Sequence, residues 1–231
     1  MKNIFSIPKN ALEEYFIGIG DKKFRATQIY EFLYKKRIYD VNNMNNIGKN
    51  IKERLLEDFD FSFIKIKLTQ EDVDVKKYLF ELSDGNLIES VLMYHDYGIS
   101  ICVSSQVGCN MGCAFCESGR LKKVRNLESY EIVQQIILIE DDIKERISHV
   151  VVMGIGEPFD NYDNIMNFIK IINDPKGIDI GARHITVSTC GIVPKIKEFK
   201  KDFSQVNLDA ENTDTKPTYI MRNIRELCDS I

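Results

Sequence analysis

Three cysteines stand within eight residues, Cys109, Cys113 and Cys116, and their C-x3-C-x2-C loop opens directly after the strand-like residues 99–103. From there the chain alternates. Residues 128–140 read as a helix with Ile132, Ile136 and Ile139 along one side, and Glu140 as a surface helix charge. Residues 149–153 form a continuous apolar strand of the kind buried on both faces. A helix over 162–172, a strand over 183–188, a short helix over 193–199 and a strand over 205–208 complete the pattern. That rhythm predicts an α/β fold of parallel β/α units, with no internal sequence repeat.

The chain before the loop reads differently. Residues 1–57 give short helices, with Ile29, Phe32, Leu33, Ile51 and Leu55 at helical spacing and an Asn-rich stretch, 41–50, between them. Residues 61–105 switch to period two. The turn signal Ser83-Asp84-Gly85-Asn86 places a hairpin over 78–91. We therefore expect a helical unit over 1–57, a hairpin segment over 58–97 and an α/β core over 98–231.

Composition narrows the setting. With 231 residues, 44% hydrophobic and 29% charged, the sequence describes an ordinary soluble chain. No apolar run approaches the roughly 20 residues a bilayer requires, and the first residues lack an apolar leader, so a cytoplasmic protein is expected. The net charge of −4 does not advertise a polyanion partner. Residues 1–57 nevertheless carry eleven Lys/Arg against seven Asp/Glu, a local surplus able to meet phosphates. Four of the six cysteines lie between 102 and 116. Without an export signal, such clustering points to metal ligands or catalytic thiols rather than a disulfide frame.

Three local thiolates satisfy three irons of a [4Fe–4S] cubane and leave the fourth iron open to a small molecule. Such an open iron is what reductive cleavage of S-adenosylmethionine requires. Phe115 suits an apolar wall against an adenine. Zinc would need a fourth ligand, and His95, His149 and His184 have no zinc-finger spacing. Inert core thiols do not account for the clustering. Downstream, Met153-Gly154-Ile155-Gly156-Glu157-Pro158 follows the buried strand, where glycines permit close backbone approach and a carboxylate can accept from an ammonium. Val187-Ser188-Thr189 ends the next strand in the same register and supplies hydroxyls at the C-terminal rim.

These segments, with Cys102-Val103-Ser104-Ser105-Gln106-Val107-Gly108-Cys109, Arg125-Asn126-Leu127 and Phe24-Arg25-Ala26-Thr27-Gln28-Ile29-Tyr30, resemble the radical S-adenosylmethionine RNA adenine C2-methyltransferases (RlmN) and the related C8-methylating Cfr enzymes. The resemblance covers about residues 8–208. It implies a partial (β/α) barrel of the radical SAM type behind a small N-terminal helical, RNA-binding domain. It also implies a [4Fe–4S] cluster and S-adenosylmethionine as cofactors. The expected substrates are 23S rRNA and tRNA beside the anticodon, the expected electron donor a flavodoxin or ferredoxin, and the expected state a monomer. By position, Cys109, Cys113 and Cys116 correspond to the cluster ligands, and Gly156, Glu157 and Ser188 to the S-adenosylmethionine contacts. Glu89 corresponds to the proton acceptor and Cys102 to the resolving cysteine.

The chain departs from that family in two places. Glu117-Ser118-Gly119 stands after the third cysteine where the family has a small residue and Thr. After Leu208 the sequence runs into Asp209-Ala210-Glu211 rather than a Ser-Leu-His-Ala strand end. Cys228 lies in surroundings unlike those of the family's methyl-carrying cysteine, and Cys190 reads as a structural turn residue. The resulting expectation is a C-terminally truncated member that cleaves S-adenosylmethionine slowly and forms no 2-methyladenosine by itself.

Overall fold

Apolar side chains recurring three and four residues apart build the front of the chain. A computed structural model describes residues 1–114 and 116–210, with side chains as far as Asp202. It contains a short strand β1 (Lys2–Asn3) and helices α1 (Lys9–Gly18), α2 (Phe24–Tyr30) and α3 (Lys49–Asp58), α2 running on into a π-turn over Glu31–Lys35. Ile29, Phe32, Leu33 and Leu55 are buried, as their spacing predicts, while Ile51 is partly covered. β1 pairs in parallel with β2 (Phe59–Asp60), and Phe5, Tyr39 and Phe63 meet edge to face beneath them.

The main sheet has six strands in the order β10-β9-β6-β5-β4-β3. β3 (Lys65–Glu71), β4 (Val75–Glu81), β5 (Leu87–His95) and β6 (Gly98–Val103) form an antiparallel meander. Its predicted turn is held by Gly85 at φ +80°, where a side chain would be strained. β6 then pairs in parallel with β9 (His149–Val152), and β9 with β10 (Ile185–Val187). Between β6 and β9 come the cysteine loop, a small antiparallel pair β7 (Gln106–Val107) and β8 (Arg125–Asn126), and α4 (Ser129–Ile143). α5 (Tyr162–Asn173) links β9 to β10, and α6 (Val193–Ala210) follows. Meander and parallel strands thus share one sheet.

Helices cover one face of that sheet. Ile132, Val133, Ile136 and Ile137 of α4 and Ile165, Phe168 and Ile172 of α5 belong to one core with Ile101, Val103, Val150 and Val152. Each such side chain contributes about 1.5–3 kcal/mol on full burial. α4 begins with a reciprocal capping box between Glu128 and Glu131, which satisfies amides that no helical carbonyl reaches.

Three expectations are corrected. The strand over 149–153 is not covered on both faces: Val150 and Val152 are buried, while His149 and Val151 lie on the open face. The strand over 205–208 is helix instead: α6 runs on through it from Val193 to Ala210, continuing the helical spacing of Ile192, Ile196 and Phe199. Glu140 is not a surface charge. It is buried on α4, ion-paired with Arg37 from the N-terminal unit, and accepts the Ile147 amide at 2.8 Å. Further bonds join the N-terminal unit to the core: Tyr39 Oη donates to Asp141 at 2.6 Å, and the Tyr130 amide donates to Ser6 Oγ at 3.1 Å.

Candidate functional site

Side chains alternate across a strand, so residues facing one another in register share a face. Lys77, Val91, Cys102, Val151 and Thr186 form one such row across the sheet, on the face that the helices among the described residues leave open. Glu89 projects from the same face, two residues from Val91 on β5, so it and Cys102 stand on one surface. A salt bridge of 2.7 Å to Lys77 Nζ holds the Glu89 carboxylate. Burial pushes the Cys102 thiol up, against a hydrogen bond from the Met153 backbone.

The loops beyond the C-terminal ends of β6, β9 and β10 make the rim. Cys109 is buried and Cys113 and Cys116 are half-buried, all three free thiols. The cysteine loop is anchored from outside, since the Cys109 amide donates to Leu121 O at 2.9 Å and the Lys123 amide to Asn110 Oδ1 at 3.1 Å. Gly108 permits that anchoring: at φ +73°, a Cβ there would stand 2.2 Å from Lys122 O. Among the described residues, no three His, Cys, Asp or Glu side chains converge on a single-ion position. Thiolates of a cubane each bind a different iron, so three thiols spread along one loop fit a four-iron cluster better than one zinc ion. The histidines gather elsewhere: His95 stacks on Tyr97 and His149 on His184, the latter with centroids 4.3 Å apart, at the far ends of the parallel strands. Phe115 and Cys228 lie outside the described residues.

Glu157 sits at the centre of the rim. It is 4% exposed, yet its carboxylate is well supplied with donors. The Phe159 amide donates to Oε1 at 3.0 Å, Thr189 Oγ1 to the same oxygen at 2.6 Å, and the Cys190 amide to Oε2 at 2.7 Å. Gly156, at φ +106°, packs so closely that a Cβ would lie 2.5 Å from Gln106 Cβ. Its close approach is therefore to Gln106. Ser188 continues the β10–β9 pairing through its amide, 3.2 Å from Val152 O.

Two features of the rim were not anticipated from the sequence. Cys190, in the turn after β10, is exposed and its thiol stands beside Glu157; partial burial, a hydrogen bond to Glu157 and that carboxylate's charge push it up to about 11, and Cys113 adds to the effect. The second is the Ser104-Ser105-Gln106 segment, whose residues are at most 1% exposed. Ser104 Oγ donates to Glu89 O at 2.6 Å and accepts the Ile155 amide at 3.0 Å, joining the Glu89 strand to the loop that bears Glu157. Sequence marked these residues by their motif, and only the long-range bonds give them this part.

The radical SAM superfamily model matches residues 103–229, and the chain belongs to that superfamily. The model for the ribosomal RNA large subunit methyltransferase N-terminal domain matches residues 2–60. A probable dual-specificity RNA methyltransferase RlmN from Enterococcus faecalis is 52% identical over 231 residues, covering 96% of this chain and 64% of the relative. One from Spiroplasma citri is 52% identical over 212 residues, covering 90% and 61%. A crystal structure of a radical SAM methyltransferase from Sphaerobacter thermophilus superposes with a TM-score of 0.77 at 32% identity, covering 86% of this chain and 60% of that one. The partial barrel behind a small helical region is thus the fold of this chain. The chain spans somewhat under two thirds of the length of these relatives. No helix among the described residues is long and apolar enough to cross a membrane.

Proposed function

We propose that this chain carries the cofactor-binding part of a radical S-adenosylmethionine RNA methyltransferase that forms C2-methyladenosine in 23S rRNA and tRNA. The observation that carries the reading is the three-thiol loop set beside the buried Glu157 carboxylate at the C-terminal ends of parallel strands. Cys109, Cys113 and Cys116 would hold the cluster. Glu157 would accept the ammonium of S-adenosylmethionine, with the Gly156 backbone and Ser188 beside it. When bound, the cluster supplies the electron that cleaves S-adenosylmethionine reductively.

The chain's own residues supply the remainder. Glu89, oriented by Lys77, would accept a proton from a substrate ring. Cys102 shares its face of the sheet and would be the resolving cysteine, its thiol pushed up by burial. The helical residues 1–57 present the Lys/Arg surplus to RNA phosphates, a salt-sensitive contribution to affinity. An acidic one-electron carrier such as flavodoxin or ferredoxin would be the donor.

The test is anaerobic incubation of iron-loaded protein with S-adenosylmethionine, a reductant and an unmodified 23S rRNA fragment, followed by nucleoside mass spectrometry. We expect 5′-deoxyadenosine that disappears in Cys113→Ala, and any methylated adenosine to be the 2-methyl isomer. The 8-methyl isomer, or no cleavage by protein holding its irons, overturns the reading.

A further inference from the structure

A carboxylate offers about four acceptor positions, two on each oxygen. On Glu157 this chain fills three of them. Oε1 receives both the Phe159 amide and the Thr189 hydroxyl, and Oε2 receives the Cys190 amide. The fourth lies on Oε2, which receives only the Cys190 amide, and there the neighbouring Cys190 thiol is the local competitor for it. A thiol is a weak donor, and a cationic nitrogen makes the stronger bond to a carboxylate.

The three donors differ in what they fix. The Phe159 amide belongs to Glu157's own loop, two residues on. Thr189 and Cys190 come from the loop after β10, so the carboxylate is clamped between two β/α units. The terminal torsion of a glutamate is broad when nothing restrains it. The 2.6 Å bond from Thr189 removes that freedom and saturates Oε1.

We propose that Thr189 is a positioning residue: it locks the Glu157 carboxylate so that a single acceptor, on Oε2 beside Cys190, is presented to the amino group of the ligand's amino-acid part. The proposal rests on the reading of Glu157 as the ammonium-binding group. It makes this subsite selective for ligands that carry the amino-acid moiety, since a ligand without it gains nothing from the orientation of Glu157.

The experiment compares two ligands by calorimetry on reconstituted protein: S-adenosylhomocysteine, which has the amino-acid moiety, and methylthioadenosine, which lacks it. Thr189→Val keeps the shape and removes the donor; Thr189→Ser keeps the donor. Thr189→Val should weaken S-adenosylhomocysteine at least about tenfold, the loss expected for one hydrogen bond to a buried charge. Methylthioadenosine affinity should be unchanged, and Thr189→Ser should restore binding. Equal loss for both ligands, or no loss for either, overturns the proposal. Glu157→Gln separates the layers. If it leaves the preference for S-adenosylhomocysteine intact, the ammonium reading has failed. If it abolishes that preference while Thr189→Val does not, the positioning role alone has failed. Iron content and thermal midpoint, measured on each variant, should match those of the unaltered protein, and a Thr189→Val protein that binds neither ligand because it has lost both counts against the proposal.

Discussion

Gln106 Oε1 accepts the amide N–H of Glu157 at 2.9 Å, and the same side chain donates from Nε2 to Asn126 at 2.8 Å and to Asp160 at 2.9 Å. One fully buried amide therefore mounts the Glu157 loop on the end of β7. Gln106→Ala leaves the Glu157 amide without its partner in a buried setting. It should cost about 2–3 kcal/mol, read as a lower urea midpoint. An unchanged midpoint would show that the loop is held without Gln106.

The Arg37–Glu140 pair joins the N-terminal unit to α4, with side chains 25% and 5% exposed. Removing Glu140 leaves Arg37 with Asp141 alone, at 4.0 Å, and leaves the Ile147 amide unpaired. Glu140→Ala should destabilise the chain by about 2–3 kcal/mol, at or below the lower limit for breaking a fully buried pair, because Arg37 retains some solvent and a second carboxylate. The exposed Glu53→Ala is the reference and should stay close to the unaltered protein in the same thermal melts.

Asp160 gives the site a dependence on acidity. Hydrogen bonds from Lys123 and Gln106 hold its carboxyl below the usual carboxylate range, against burial. Its folded value is depressed, so its contribution to stability is present above the unfolded value near about 3.9 and is lost as pH falls through the folded one. The stability difference between the unaltered protein and Asp160→Asn should be constant from neutrality to about pH 5 and shrink below about pH 4. A difference that stays constant to pH 3 would contradict this.

Much of the fold was legible because local periodicity and burial agree. Ile132, Ile136 and Ile139 mark α4, and the Ser83–Asn86 turn marks the hairpin, since each signal lies within one element. What was missed depends on partners distant in sequence. The polar-apolar alternation of residues 205–208 mimics a strand, but four residues cannot outweigh a stripe running from Ile192. Glu140 looked solvated because its partner, Arg37, lies 103 residues away. The grouping of Cys109, Cys113, Cys116, Glu157 and Ser188 at one rim follows from β/α order, which sequence does show. Thr189 and Gln106 are different: nothing local distinguishes a hydroxyl or amide that clamps a remote carboxylate or loop from one that meets water.

The most direct test of the account is the metal content of anaerobically reconstituted protein, with its Mössbauer spectrum, beside that of Cys113→Ala. We predict about four irons per chain in the spectral form of a [4Fe–4S] cluster, with the variant losing that form. Stoichiometric zinc with no iron uptake would contradict it.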